Sequence, residues 1–133
     1  MPKFATVGHL DLSVSDVESS ARWYCDVLGL RRLRRADLEN RIMVVLRHDS
    51  GLIIGLNQHH EPAADRFDER RPGLDHVGFA VTERSELDDW QARLAELGVA
   101  HSPVQDAPSG TGAALVFRDP DNIQLEFWWT KPR

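Results

Sequence analysis

Two six-residue stretches of this chain share one pattern, and their repetition constrains the fold more than any other feature. His9-Leu10-Asp11-Leu12-Ser13-Val14 and His76-Val77-Gly78-Phe79-Ala80-Val81 both begin with histidine and continue with apolar residues at alternate positions. Alternation is the period of a β-strand with two distinct faces. A helical pattern follows each stretch and stops at a glycine, Gly29 or Gly98, which is a common helix end. The sequence therefore predicts two copies of one module.

Each copy is predicted to run as a strand, a helix and three further strands. The predicted elements of the first copy are strand 7–14, helix 17–28 and strands 30–35, 42–47 and 52–57. Those of the second copy are strand 76–81, helix 86–97 and strands 99–104, 113–118 and 123–129. Matching positions are shifted by 67 residues at the histidines and by 69 at the glycines. The second helix region is therefore predicted to be two residues longer than the first.

The domain organisation follows from the length and from the repeat. A chain of 133 residues is the size of one ordinary domain. We expect a single domain over 1–133, with module one at about 5–58, a linker at about 59–73 and module two at about 74–130. The linker is polar and shows no clear period, so it is either a simple connection or a lid over a site.

Composition excludes several classes of protein. The net charge of −5 provides no basic field for nucleic acid. There is no long apolar run, so no membrane segment is expected. Cys25 is the one cysteine, which rules out a disulfide within the chain and fits a reducing cytoplasm. We therefore expect a cytoplasmic protein that binds neither nucleic acid nor a membrane.

Three side chains of the predicted strands have the chemistry of metal ligands. His9 and His76 hold the same internal position of the two copies, and Glu126 lies on the polar face of the last strand. Two imidazoles and one carboxylate suit a divalent ion such as iron, zinc, manganese or nickel, and they leave coordination positions open for water or substrate. The predicted fold is thus α+β, with two tandem βαβββ modules forming a curled mixed sheet around a metal-centred cleft.

Motifs along nearly the whole chain resemble those of the vicinal oxygen chelate superfamily, which includes glyoxalase I, extradiol dioxygenases, fosfomycin resistance enzymes and bleomycin resistance proteins. The motifs that carry the resemblance are Gly8-His9-Leu10, the segment from Trp23 to Leu30, the segment from Leu74 to Phe79, and the segment from Phe117 to Asn122 followed by Leu125-Glu126. The resemblance implies a homodimer and a metal-dependent enzyme of the glyoxalase or dioxygenase type, which chelates vicinal oxygens of a small substrate. The alternative is a binding protein without catalysis, similar to bleomycin resistance proteins.

The resemblance also marks positions around the proposed ligands. A fourth metal ligand of some members corresponds to Gly55, which has no side chain. We predict a substrate pocket that includes Gly55, Val116, Trp128 and Arg47, although Trp128 could equally lie in a subunit contact. Asp11 shares the face of His9, and it is either a general base beside a metal-bound substrate or a carboxylate that fixes a neighbouring polar group.

Overall fold

The chain is described by a computed structural model that covers residues 1–63 and 66–133. It divides into two compact units, Met1–Asp65 and Arg66–Arg133. Each unit contains one helix and one four-stranded mixed sheet. The prediction of an α+β fold built from two tandem modules is confirmed. Within the two described ranges, no helix is long and apolar enough to cross a membrane.

The first unit follows the predicted order of elements closely. Its elements are β1 Leu10–Ser13, α1 Val17–Leu28, β2 Arg31–Asp37, β3 Arg41–Arg47 and β4 Ile53–His59. The sheet has the order β1-β4-β3-β2, with β1 parallel to β4 and the other pairs antiparallel. The last strand of the module therefore lies beside the first, which brings together residues far apart in sequence.

Local chemistry sets both ends of α1. The Asp16 carboxylate accepts a hydrogen bond from the backbone N–H of Ser19 at 2.9 Å, which satisfies one of the free donors of the first turn. Gly29 ends the helix with a left-handed backbone, at a φ of 74°, where glycine carries no steric penalty. The apolar face of α1 is buried against β3 and β4. That face consists of Val17, Ala21, Tyr24 and Leu28.

The second unit repeats this architecture. Its elements are β5 Val77–Val81, α2 Ser85–Glu96, β6 Gln105–Asp106, β7 Gly112–Arg118 and β8 Gln124–Thr130. The order β5-β8-β7-β6 and the parallel pairing of β5 with β8 match those of the first unit. An aromatic stack forms the centre of the core, since the Phe127 ring lies 4.1 Å from that of Trp90 and 5.2 Å from that of Phe117. Leu97, the last residue of the predicted helix 86–97, is instead the C-cap and is exposed.

One strand of the second copy differs from the prediction. The predicted strand 99–104 is wrong, because the strand there is only Gln105–Asp106, preceded by an isolated bridge from His101 to Phe117. Pro103 has no N–H for a ladder, and the Ser102 hydroxyl accepts the N–H of Val116 in place of a strand partner. Both helices have the predicted twelve residues, and the two extra residues of the second helix region lie in the connections on either side of the helix.

Part of the predicted linker 59–73 is bound to the second unit. The backbone N–H of Phe67 donates to the Asp121 carbonyl, and the Asn122 side chain donates to the Phe67 carbonyl. Arg118 donates two hydrogen bonds to Glu69, at 2.9 and 3.0 Å. Residues 64 and 65 of the predicted linker lie outside the described part of the chain. The role of this segment as a lid stays a prediction.

Candidate functional site

The parallel pairing of β5 with β8 brings His76 and Glu126 together. Gly78 of β5 pairs directly with Glu126 of β8, and His76 immediately precedes β5. A residue two positions before Gly78 lies on the same face of the strand. The His76 Nε2 atom consequently lies 3.5 Å from the Glu126 Oε1 atom.

The other imidazole nitrogen of His76 is held by its neighbour in the chain. The His76 Nδ1 atom lies 2.6 Å from the Asp75 Oδ1 atom. An ionised carboxylate only accepts hydrogen bonds, so Nδ1 carries the proton and donates. This hydrogen bond leaves Nε2 as the nitrogen directed to Glu126, with its lone pair free in the neutral ring. A carboxylate on the far side of a ligating histidine is the usual way of fixing its tautomer and orientation.

The separation of the two facing atoms fits a shared metal ion. The two donor atoms are 3.5 Å apart, which is close enough for both to contact one divalent ion at ligand distances of about 2.1 Å. The Glu126 side chain is 16% exposed and that of His76 is 39% exposed. The pair is therefore partly desolvated but open to small molecules.

The charges around His76 favour its protonated form when no metal is bound. The hydrogen bond to Asp75 raises the pKa of His76 most, partial burial lowers it, and the negative charge of Glu126 raises it further. A proton and a metal ion compete for Nε2, so the raised pKa makes metal binding at this pair weaker as pH falls.

The carboxylate of Glu126 extends over a strand position without a side chain. A Cβ atom added to Gly78 would lie 3.1 Å from Glu126 Oε1 and 3.5 Å from Glu126 Cγ. The absence of a side chain at Gly78 thus provides the space in which Glu126 approaches His76. On its other side Glu126 pairs with Val116 of β7, which is one of the predicted pocket residues and is half-buried.

The first unit places His9 and Asp11 at the start of its own parallel strand pair. His9 is exposed and immediately precedes β1. Asp11 pairs directly with Gly55 of β4, and the side chain of Asp11 lies over the Gly55 backbone. A Cβ atom added to Gly55 would overlap Asp11 Oδ1 and would lie 2.7 Å from Asp11 Cγ. Gly55 is therefore covered by a carboxylate from the neighbouring strand.

The other predicted pocket residues lie in different surroundings. The Trp128 ring packs over Gly112, and its Nε1 donates to the Thr130 hydroxyl at 2.9 Å. Trp128 shares the alternating face of β8 with Glu126 and is half-buried. Arg47 is exposed at the end of β3, where it pairs with Ile53 and Arg31. The membership of Trp128 and Arg47 in a substrate pocket stays a prediction.

Sequence reasoning missed two features of the second unit. Asp75 was recognised only as part of a motif, although a carboxylate directly before a candidate ligand histidine is a signal that could have suggested its partner. The Arg118 side chain donates to Glu69 and to the Gln124 side chain, each at 2.9 Å. No sequence pattern links Glu69 to Arg118, since 49 residues separate them.

Throughout residues 1–63 and 66–133, no three His, Cys, Asp or Glu side chains are grouped to hold a metal ion. His76 and Glu126 are thus a facing pair and not a full ligand set. The convergence of His9 with this pair stays a prediction.

Comparisons with known proteins agree on the fold and the family. Residues 6–127 match the family model described as the Glyoxalase/Bleomycin resistance protein/Dioxygenase superfamily. The crystal structure of a glyoxylase/bleomycin resistance protein/dioxygenase domain from Frankia sp. EAN1pec is similar, with a TM-score of 0.88 and 38% identity over 97% of this chain and 94% of that one. A fosfomycin resistance protein, FosX from Listeria monocytogenes, complexed with Mn(II) and sulfate, has a TM-score of 0.69 and 17% identity, with coverages of 97% and 95%. This last likeness concerns the fold alone.

A curated relative is similar over nearly all of this chain. Catechol-2,3-dioxygenase of Bacillus subtilis is 28% identical over 128 residues, which is 96% of this chain but 42% of the relative. The chain thus spans less than half the length of that protein. The family model covers residues 6–127, which include the strand of Asp11 and the strand of Glu126. The chain belongs to the glyoxalase/bleomycin resistance protein/dioxygenase superfamily.

Proposed function

We propose that this protein is a metal-dependent enzyme of the glyoxalase or dioxygenase type, which binds two vicinal oxygens of a small substrate at a divalent metal ion. The observation that supports the proposal most is the facing pair of His76 and Glu126. Their donor atoms are 3.5 Å apart, and Asp75 fixes the ring of His76 from behind.

The proposed third ligand is His9. It occupies in the first copy the position that His76 occupies in the second, and it likewise immediately precedes a strand that pairs in parallel with the last strand of its module. Iron, zinc, manganese and nickel all accept two imidazoles and one carboxylate. Bound there, the metal would polarise the chelated oxygens of the substrate.

The residues of the chain have distinct roles in this proposal. Asp75 holds the imidazole of His76 in the tautomer that leaves Nε2 available. Glu126 supplies a negative charge in a partly desolvated position, where its attraction to a cation is stronger than in water. Val116 and Trp128 flank Glu126 on the sheet and would give a small aromatic or aliphatic substrate an apolar surface.

We propose catechols as the first substrates to test, because the curated relative of known name is a catechol dioxygenase. We further propose a homodimer in the cytoplasm. The chain spans 42% of that relative, so two copies of the chain together would approach the length of the relative. Sedimentation of the purified protein measures this directly, and a monomer at micromolar concentration would contradict the dimer.

The experiment that tests the metal centre measures metal content and affinity. Protein stripped with a chelator is titrated calorimetrically with Mn²⁺, Fe²⁺ (without oxygen), Zn²⁺ and Ni²⁺, and the same is done for His9→Ala, His76→Ala and Glu126→Gln. We expect one ion per chain in the wild type and a loss of at least about 100-fold in affinity for each variant, because a ligand is removed. His48→Ala is the matched control, since His48 lies at the turn after β3 and is bound to Ser50.

The results separate the proposal from its alternative. Stoichiometric metal, together with oxygen uptake on addition of a catechol, supports the enzyme. Absence of any bound metal, with ligand binding unchanged in His76→Ala, would establish a binding protein similar to bleomycin resistance proteins. Metal binding that survives His9→Ala but not His76→Ala would remove His9 from the ligand set.

A further inference from the structure

A short segment that precedes His76 in the chain, residues 67–69, is bound to the turn between β7 and β8. The N–H of Phe67 donates to the Asp121 carbonyl, and the Asn122 side chain donates to the Phe67 carbonyl, both at 3.2 Å. Arg118 donates to both carboxylate oxygens of Glu69, at 2.9 and 3.0 Å. Two parallel hydrogen bonds of this kind fix the orientation of both side chains. We call these contacts of residues 67–69 with the turn the clamp.

Arg118, at the end of β7, joins the clamp to the strand that carries Glu126. Besides Glu69, its guanidinium group donates to the Asn122 carbonyl at 3.0 Å and to the Gln124 side chain at 2.9 Å. Gln124 lies on β8 two positions before Glu126, so the two side chains share one face of the strand. Arg118 is half-buried. The guanidinium group is therefore held from two sides, by the sheet and by the segment before His76.

His76 depends on the chain before it for its position. The first residue of β5 with a strand partner is Val77, which pairs with Leu125, so the backbone of His76 lies outside the ladder. Residues 70–76 are exposed and form neither helix nor strand. They connect the clamp to β5, and a connection held at both ends has fewer conformations than one held at a single end. The clamp thus restricts where His76 can lie.

The carboxylate that orients His76 also interacts with Arg118. The hydrogen bond to Glu69 raises the pKa of Arg118 most, burial lowers it, and the negative charges of Glu69 and Asp75 raise it further. Asp75 Oδ1 is the atom that lies 2.6 Å from His76 Nδ1. A guanidinium group held in place by Glu69 therefore attracts the carboxylate that fixes the imidazole ring.

We infer that the ion pair of Glu69 with Arg118 positions the imidazole of His76. It holds the chain that leads into β5, and with that chain the carboxylate of Asp75. Glu69 and Arg118 are positioning residues, because they act through their neighbours and are not themselves metal ligands. The inference rests on the proposed function, since His76 is one of the ligands proposed there. Opening the clamp leaves His76 and Glu126 in the protein but allows Nε2 to turn away from Glu126.

The inference is tested on the full chain with Glu69→Ala, Arg118→Ala and the double variant, titrated calorimetrically with Mn²⁺. Loss of a group that contacts a ligand directly costs about 10-fold to 100-fold in metal affinity, and for a contact one step further away we expect the dissociation constant to rise about threefold to tenfold. The double variant should lose no more affinity than either single variant, because the two residues act as one ion pair.

Two measurements on metal-free protein follow the clamp and the ring separately. Hydrogen exchange of the Phe67 amide reports on the clamp, since that N–H donates to Asp121. We expect this exchange to be at least about tenfold faster in Glu69→Ala, because the segment opens more often. Nitrogen NMR of the neutral His76 imidazole reports on the ring. The proton lies on Nδ1 in the wild type, and we expect a mixture of the two tautomers in the variants.

Arg70→Ala is the matched control. The Arg70 side chain donates to Asp68 at 2.9 and 2.7 Å, so both partners of this ion pair lie within the same exposed connection. Exposed ion pairs contribute little. We therefore expect Arg70→Ala to bind Mn²⁺ within about twofold of the wild type and to keep the wild-type tautomer of His76.

Several outcomes would overturn the inference. One is faster exchange of the Phe67 amide in Glu69→Ala while the Mn²⁺ affinity and the His76 tautomer stay at their wild-type values. Others are an unchanged exchange rate in Glu69→Ala, or an equal effect of Arg70→Ala. A wild type that binds no metal would refute the proposed function itself, and the tautomer measurement, which needs no metal, would still decide whether the clamp holds the ring.

Discussion

Replacing Gly78 with alanine should separate the stability of this protein from its metal affinity. The added Cβ would lie 3.1 Å from Glu126 Oε1, where ordinary contacts begin at 3.4 Å. Glu126 must therefore retreat by roughly 0.3 Å, which exceeds the tolerance of about 0.2 Å for a metal–ligand distance. We expect the dissociation constant for Mn²⁺ to rise between about 10-fold and 100-fold, or about 1.4 to 2.7 kcal/mol.

The same substitution should not destabilise the fold. Gly78 is exposed and does not have a positive φ, so alanine can adopt its backbone conformation. Glycine within a strand costs roughly 0.5–1 kcal/mol relative to alanine, and the free energy of unfolding should rise by a fraction of that amount. A protein that becomes more stable while it loses metal cannot be explained by misfolding.

The assay is calorimetric titration of the chelator-treated protein with Mn²⁺, combined with thermal unfolding of the same samples. Gly8→Ala is the matched control, because its added methyl group would have no atom within 4 Å. The reasoning is refuted if Gly78→Ala binds Mn²⁺ within about twofold of the wild type while Glu126→Gln loses it.

Two ion pairs give predictions with a defined dependence on pH. Asp75→Asn should lower the pKa of His76, because the hydrogen bond to Asp75 is the largest cause of its raised value. The pair stabilises the fold below the unfolded pKa of His76, and this stabilisation is lost as pH rises through the folded pKa. Proton NMR of the imidazole in metal-free protein measures the pKa, and an unaltered value would contradict the assignment. Glu69→Gln should lower the melting temperature at neutral pH, because Arg118 lowers the pKa of Glu69 to about 2. The difference from the wild type should shrink as pH falls from the unfolded pKa towards 2, while Asp49→Asn should show little effect at any pH; a difference that did not depend on pH would exclude the ion pair as its cause.

The repeat, the helices and most strands could be predicted because they depend on local pattern. The helix ends at Asp16 and Gly29 are set by neighbouring backbone groups, so the residues that produce them are visible in the sequence. The prediction of a strand at 99–104 was wrong, and part of the reason is local in sequence. Pro103 has no N–H to donate to a strand partner, and the hydroxyl of Ser102 accepts the N–H of Val116 on β7.

The candidate site depends on contacts that no local pattern contains. The parallel pairings join Asp11 to Gly55 and Gly78 to Glu126 across 44 and 48 residues. A one-residue slip in either register would turn every side chain to the opposite face, and packing of the apolar faces is what prevents it. The binding of the segment around Glu69 to Arg118 is equally nonlocal.

The sequence by itself determined that two modules exist and that each begins with a histidine followed by a strand. It also placed the carboxylate of Glu126 on the polar face of the last strand of the second module. Backbone geometry imposes strand and helix periods within a few residues, so these features are written along the chain. Only the tertiary structure decided that Nε2 of His76 faces Glu126 and that the carboxylate of Asp11 lies over Gly55 of β4. Those facts depend on strand register, which is fixed by the packing of residues that are distant in sequence.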